Sequence, residues 1–231
     1  MKKPALSTTA ADSRWNGLYS TGAYAAFAML AVMAAQIVIF IIWPPPESVE
    51  GFFALFHNNW LLGLLSMDLL YIVNNALIIL IYLALWAALR KQHETALLIG
   101  LVFGFIGLAG YYASNTCFEM LSLSRQYAAA TTEAQRTALL GGGYALLAIY
   151  KGTAFDVYYV LNAITLLIFA AVMLRSDVFS RRTAAWGLAA GVLMVIPSTA
   201  GTIGLIFSLA SLAPWAVFAV MASRRLLKLA A

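Results

Sequence analysis

Of the 231 residues, 63% are hydrophobic and only 10% charged, with a mean hydropathy of +0.88; a soluble domain carries roughly 45 to 50% apolar and about 25% charged residues. That excludes a soluble globular domain and implies one integral-membrane bundle, all-α, spanning residues 1–231 as a single transmembrane domain. The net charge of +5 is explained below by membrane orientation instead of by nucleic acid, and the single cysteine, Cys117, excludes an intrachain disulfide.

A hydrocarbon core about 30 Å thick takes a helix of about 20 mostly apolar residues. The uncharged runs predict six spans, at about 22–43, 65–89, 95–118, 155–174, 183–199 and 204–223. The first stops at Pro44, Pro45 and Pro46, which cannot continue a helix. It is far longer than a signal-peptide core, so it is expected to stay as a span. The second ends before Arg90 and Lys91. Between the third and fourth, Thr132 followed three residues later by Gln135 predicts a capping box and a short external helix, interrupted at Gly141, Gly142 and Gly143. The run "TALLGGGYALLAIY" from Thr137 to Tyr150 would be only about 21 Å long as a helix, too short to cross. The fifth span reaches Pro197, and in the sixth Pro214 removes one helical hydrogen bond and predicts a kink.

Basic residues of short loops stay on the cytoplasmic side. With both termini inside, Lys2, Lys3, Arg14, Arg90, Lys91, Arg175, Arg181, Arg182, Arg224, Arg225 and Lys228 fall inside, against Arg125, Arg136 and Lys151 outside. This bias accounts for the positive charge without nucleic acid.

The stretch "SNTCFEMLSLSRQYAAATTEAQRTALL", with "ALLAIYKGTAFDVYYVL" and "VMLRSDVFSRRTAAWG", resembles an uncharacterised family of bacterial polytopic membrane proteins catalogued only as a domain of unknown function. The likeness is densest from Ser114 to Gly187. It implies a multi-pass helical bundle in the bacterial inner (cytoplasmic) membrane, and no activity, cofactor or catalytic residue.

Candidate site residues come from polar groups inside apolar runs. Asp68, Tyr71 and Asn75 are spaced i, i+3, i+7 and share one helical face; Tyr112, Asn115 and Glu119 repeat the spacing at the end of the third span, if that helix continues so far. Asp156, Tyr159 and Asn162 begin the fourth. All nine fall at the outer level of the membrane, where lipid cannot solvate them, so they are expected to face one another or a polar pocket. The plainer expectation is interhelical hydrogen bonding for the amides, worth roughly 0.6 to 2 kcal/mol each, and a solvated headgroup position for the carboxylates.

Neither His57 nor His93 has a partner at metal-ligand spacing, so no metal and no cofactor is expected. "GLVFG" (Gly100 to Gly104) and "GLAAG" (Gly187 to Gly191) are small-residue faces for helix packing, within the chain or in a homo-oligomer. The favoured function is binding or transport of a small ligand, ion or lipid headgroup in an outward-facing pocket, among membrane lipids. The alternatives are an intramembrane lipid-modifying enzyme using paired carboxylates, disfavoured by the lack of a nucleophile paired with a base, and a non-catalytic membrane subunit.

Overall fold

The computed structural model describes residues 13–231. Lys2 and Lys3, which contribute to the orientation argument, and the question of a cleaved leader lie outside the described residues. After a 3-10 turn at Ser13–Trp15 come α1 (Asn16–Ile42), α2 (Val49–Asn58), α3 (Trp60–Ser66), α4 (Leu69–Ser114), α5 (Cys117–Ala129), α6 (Glu133–Tyr150), α7 (Thr153–Leu174), α8 (Arg181–Leu193) and α9 (Gly201–Ala230). Strands are absent among the described residues.

The expectation of six spans is corrected to four. Ser13–Ile42, Leu69–Ala129, Glu133–Leu174 and Gly201–Ala230 are the helical stretches long and apolar enough to cross a bilayer. The expected second and third spans are two arms of α4, whose 46 residues break at His93 (φ −160°, ψ 76°). Tyr111 Oη donates to the Asp68 carbonyl (3.3 Å) and Tyr112 Oη to the Ile72 carbonyl (3.1 Å), so the arms fold back antiparallel with His93 at the tip. His93 Nδ1 accepts from the Ala96 N–H (3.3 Å) and caps the returning arm. The expected fifth span is α8, whose 13 residues reach only about 20 Å; the chain leaves the helix at Met194 and passes through Pro197, which has no N–H to give a helix.

Helix α1 packs on α4 and α9, α7 on α4 and α8, and α8 on α9, closing a ring. Its core is built on Met29, Ile81, Leu85, Leu166, Phe169 and Phe218. The outward faces are apolar, with Ile41 73% and Ile203 63% exposed, as lipid-facing surfaces are.

A second apolar cluster, Val49, Phe52, Phe53, Phe56, Leu64, Met67, Cys117 and Met120, joins α2, α3 and α5. With α6 these form a cap on one end of the ring. Thr132 and Gln135 do make the reciprocal capping box at the start of α6. The expected interruption at Gly141–Gly143 is corrected: α6 runs unbroken, and Gly143 lies so close to α2 that a β-carbon would collide with Val49. Glu50, in the first turn of α2, accepts from Tyr144 Oη (3.1 Å), and hydrogen bonding to the backbone at that helix start holds its carboxyl below the usual range.

Candidate functional site

A cavity of about 280 Å³ lies inside the ring. Each helix gives it one face at helical spacing: Met33, Gln36, Ile37 and Phe40 from α1; Tyr71, Asn74, Ile78 and Tyr82 from the first arm of α4; Phe155, Tyr158, Tyr159, Asn162 and Leu166 from α7; Leu205, Ser208, Leu209, Ser211, Leu212 and Trp215 from α9. Tyr111 of the second arm, and Met194 and Ser198 of the α8–α9 connection, complete the wall.

Asp68 lies at the cap end. It is the N-cap of α4 in a left-handed conformation (φ 61°, ψ 31°), a region that aspartate enters more readily than most residues. The turn aims its carboxyl between cap and cavity. Tyr150 Oη, at the end of α6, donates to Oδ2, while Oδ1 meets no hydrogen-bond donor among the described residues.

Two residues of the lining also carry a buried acceptor. Gln36 is 1% exposed; its Nε2 donates to the Leu65 carbonyl (3.0 Å), which fixes the amide's orientation and leaves Oε1 buried with no donor. Asn74 is 4% exposed and its Oδ1 is likewise without a donor among the described residues. Such buried acceptors each cost about 1–3 kcal/mol unless something donates to them. Other lining groups bond to one another: Tyr82 Oη donates to Asn162 Oδ1 (2.8 Å), Asn162 Nδ2 to the Tyr158 carbonyl (2.9 Å), and Tyr159 Oη shares a 2.9 Å hydrogen bond with Ser208 Oγ.

Of the nine residues singled out from the sequence, Asp68, Tyr71, Tyr159 and Asn162 line this cavity. The other five lie elsewhere. Asn75 is fully buried, its Nδ2 donating to the Tyr71 carbonyl (2.9 Å). Tyr112 bonds to the Ile72 carbonyl. Asn115 ties the second arm to the Met67 carbonyl (3.1 Å) and accepts from the Cys117 N–H (3.2 Å), a local turn that ends α4. Glu119 therefore begins a separate helix, α5, and is exposed. Asp156 Oδ1 accepts from Thr199 Oγ1, pinning the α8–α9 connection to the start of α7. Gln36, Tyr82, Tyr111, Ser198, Ser208 and Ser211, which the sequence did not single out, complete the polar lining with Asn74 and Tyr158. For Gln36 a signal existed, since it is the one amide within the long apolar helix α1 after Asn16.

Among the described residues, no three His, Cys, Asp or Glu side chains are grouped to hold a metal ion. His57 is exposed on α2 and Cys117 is buried in the cap. Asp68 is the one lining residue of the cavity with a formal charge; arginine, lysine and histidine do not line it.

A family model described as a domain of unknown function (DUF4386) matches residues 20–226, which takes in the ring, the cap and every cavity residue. The chain belongs to this family. No curated protein and no solved structure matches it.

Proposed function

We propose that this DUF4386 protein is a binding protein or carrier for a small ligand, held in the cavity with Asp68 at its cap end. The observation that carries this reading is the carboxylate of Asp68, with one oxygen left open, on the wall of a cavity enclosed by apolar helices and lined by no basic side chain. Acceptors left without donors in a low-dielectric interior are costly, and intramembrane ionisable residues usually mark a substrate or ion path. The distribution of basic residues supports a bacterial cytoplasmic membrane protein with the cap and the Asp156–Thr199 contact towards the outer side.

The test is native mass spectrometry of protein released gently from membranes, beside Ser211→Phe. Ser211 lines the cavity and is 4% exposed, so the larger ring occupies the binding volume whatever the ligand's charge. The expected result is a specific adduct on the native chain that the variant lacks. Identical adducts on both would reject the cavity as the site.

A further inference from the structure

We infer that the chain carries a second site, separate from the Asp68 cavity, that holds the phosphate of an anionic phospholipid headgroup. It lies at the end of the ring away from the cap, where α7 has finished, α8 begins and α9 ends. A cavity of about 280 Å³ is formed there, lined by Ser180, Thr183, Met221, Arg224, Arg225 and Lys228.

Charge is the first observation. Three of these residues are cations, and no acidic side chain among the described residues lines the cavity. Asp177, the one acidic residue between α7 and α8, lies outside it, and Arg224, Arg225 and Lys228 make no ion pair among the described residues. Basic residues that only hold a topology can be spread over every loop of one side. Here three converge on one hollow with their charge uncompensated, which creates a local positive potential and draws an anion.

Geometry is the second. Arg225 Nε donates to the Val178 carbonyl just past α7, which anchors the guanidinium and leaves its terminal N–H groups uncommitted; a guanidinium fork matches two phosphate oxygens at once. Arg224 and Lys228 stand four residues apart on α9 and share a face. Ser180 caps the start of α8: its Oγ accepts from the Thr183 N–H (3.1 Å) and shares a 2.9 Å hydrogen bond with Thr183 Oγ1. The first turn of α8 holds Arg181 and Arg182 and no acidic residue, so the positive end of its dipole adds to the cations of α9.

The third observation ties the phosphate to a lipid. Val217, Met221, Arg224 and Lys228 follow i, i+4, i+7, i+11 and form one stripe along α9. Val217 is 36% exposed and Met221 half-buried, so an acyl chain lying on the apolar part of the stripe brings its headgroup to the cations. Basic pockets between spanning helices suit such headgroups. A zwitterionic headgroup would bring its own cation against three others, which selects a lipid of net negative charge.

Native mass spectrometry of the full chain released from nanodiscs of equal dioleoylphosphatidylglycerol and dioleoylphosphatidylcholine measures the ratio of the two lipids retained. The native chain should favour phosphatidylglycerol about tenfold, and Arg224→Gln with Lys228→Gln should bring the ratio near one. Lys91→Gln with Arg175→Gln removes the same charge from exposed positions outside the cavity and should keep the preference. So should Arg224→Lys with Lys228→Arg, which retains both charges and stays informative whatever the neutralised pair does to folding. Ser211→Phe should also keep it, because the Asp68 cavity lies elsewhere. An equal ratio on the native chain, the same loss in the Lys91 and Arg175 pair as in the Arg224 and Lys228 pair, or a loss in Ser211→Phe overturns the site. Abolition of the preference by inorganic phosphate in large excess over lipid overturns the lipid as its occupant.

Discussion

Asp68 combines two demands at one position, a left-handed backbone and a carboxylate shared between Tyr150 and the cavity. They separate by substitution. A β-branched side chain is strained in this conformation by about 1–3 kcal/mol, so Asp68→Val should lower thermal stability in detergent markedly, while Asp68→Gly should lose ligand dependence with a smaller loss of stability. Equal melting of the two variants would show that the backbone geometry contributes nothing. Tyr82 and Asn162 make a second residue-scale test. Removing the hydroxyl in Tyr82→Phe strands a buried amide oxygen, costing about 0.6 to 2 kcal/mol; Asn162→Leu added to it should recover part of that loss, measured as a double-mutant cycle. Both residues' importance was visible in sequence only for Asn162. The choice of Asn75 over Asn74 has a specific cause: the i, i+7 count began at Asp68, but Asp68 stands outside the helix in its left-handed turn, so the cavity face is counted from Tyr71, and Asn74 is its i+3 neighbour. The same reasoning removes Glu119, since Asn115 stops the helix that was to carry it.

Elements are held at close range by small residues. A β-carbon at Gly22 would collide with Ala84, where α1 meets the first arm of α4, and one at Gly104 would lie 2.8 Å from the Tyr82 ring, where the two arms meet. Gly22→Leu should therefore force α1 away from α4 at a cost of about 1–3 kcal/mol or more, while Gly17→Leu, at a position open to its surroundings, should leave melting near the native value. Both glycine pairs noticed in the sequence pack inside the chain: Gly100 against Ile168 and Phe169, and Gly191 against Leu167. The arms of α4 were legible because "RKQHE" interrupts an apolar run at a spacing that bilayer thickness dictates. The cap was not. Its helices α2 and α3 are 10 and 7 residues long, too short to register as spans, and they find their partners in α5 and α6 far along the chain. Gln36 and Ser208 escaped for a related reason: one polar residue in an apolar helix gives no sign of its partners until α1 and α9 are brought together by ring closure.

At the scale of the molecule, a ring of helices surrounds the cavity and the α8–α9 connection crosses its wall. Gly201 (φ 66°) turns the chain into α9, and the Asp156–Thr199 hydrogen bond ties this connection to α7. Thr199→Val should free the segment: hydrogen exchange over residues 195–201 is expected to quicken, and ligand release to accelerate about threefold to tenfold, as loss of roughly one hydrogen bond's net stabilisation implies. Unaltered exchange in that segment would mean the contact does not hold it. The DUF4386 match spans this whole arrangement.

One oxygen of Asp68 answers to the cap and the other to the cavity, so the two compartments draw on a single negative charge. An occupant that claims part of that charge loosens the grip of Tyr150, and a molecule that lifts the cap changes the affinity of the cavity by the same factor, because binding linkage is reciprocal. The cap would then serve as a gauge of what the cavity holds.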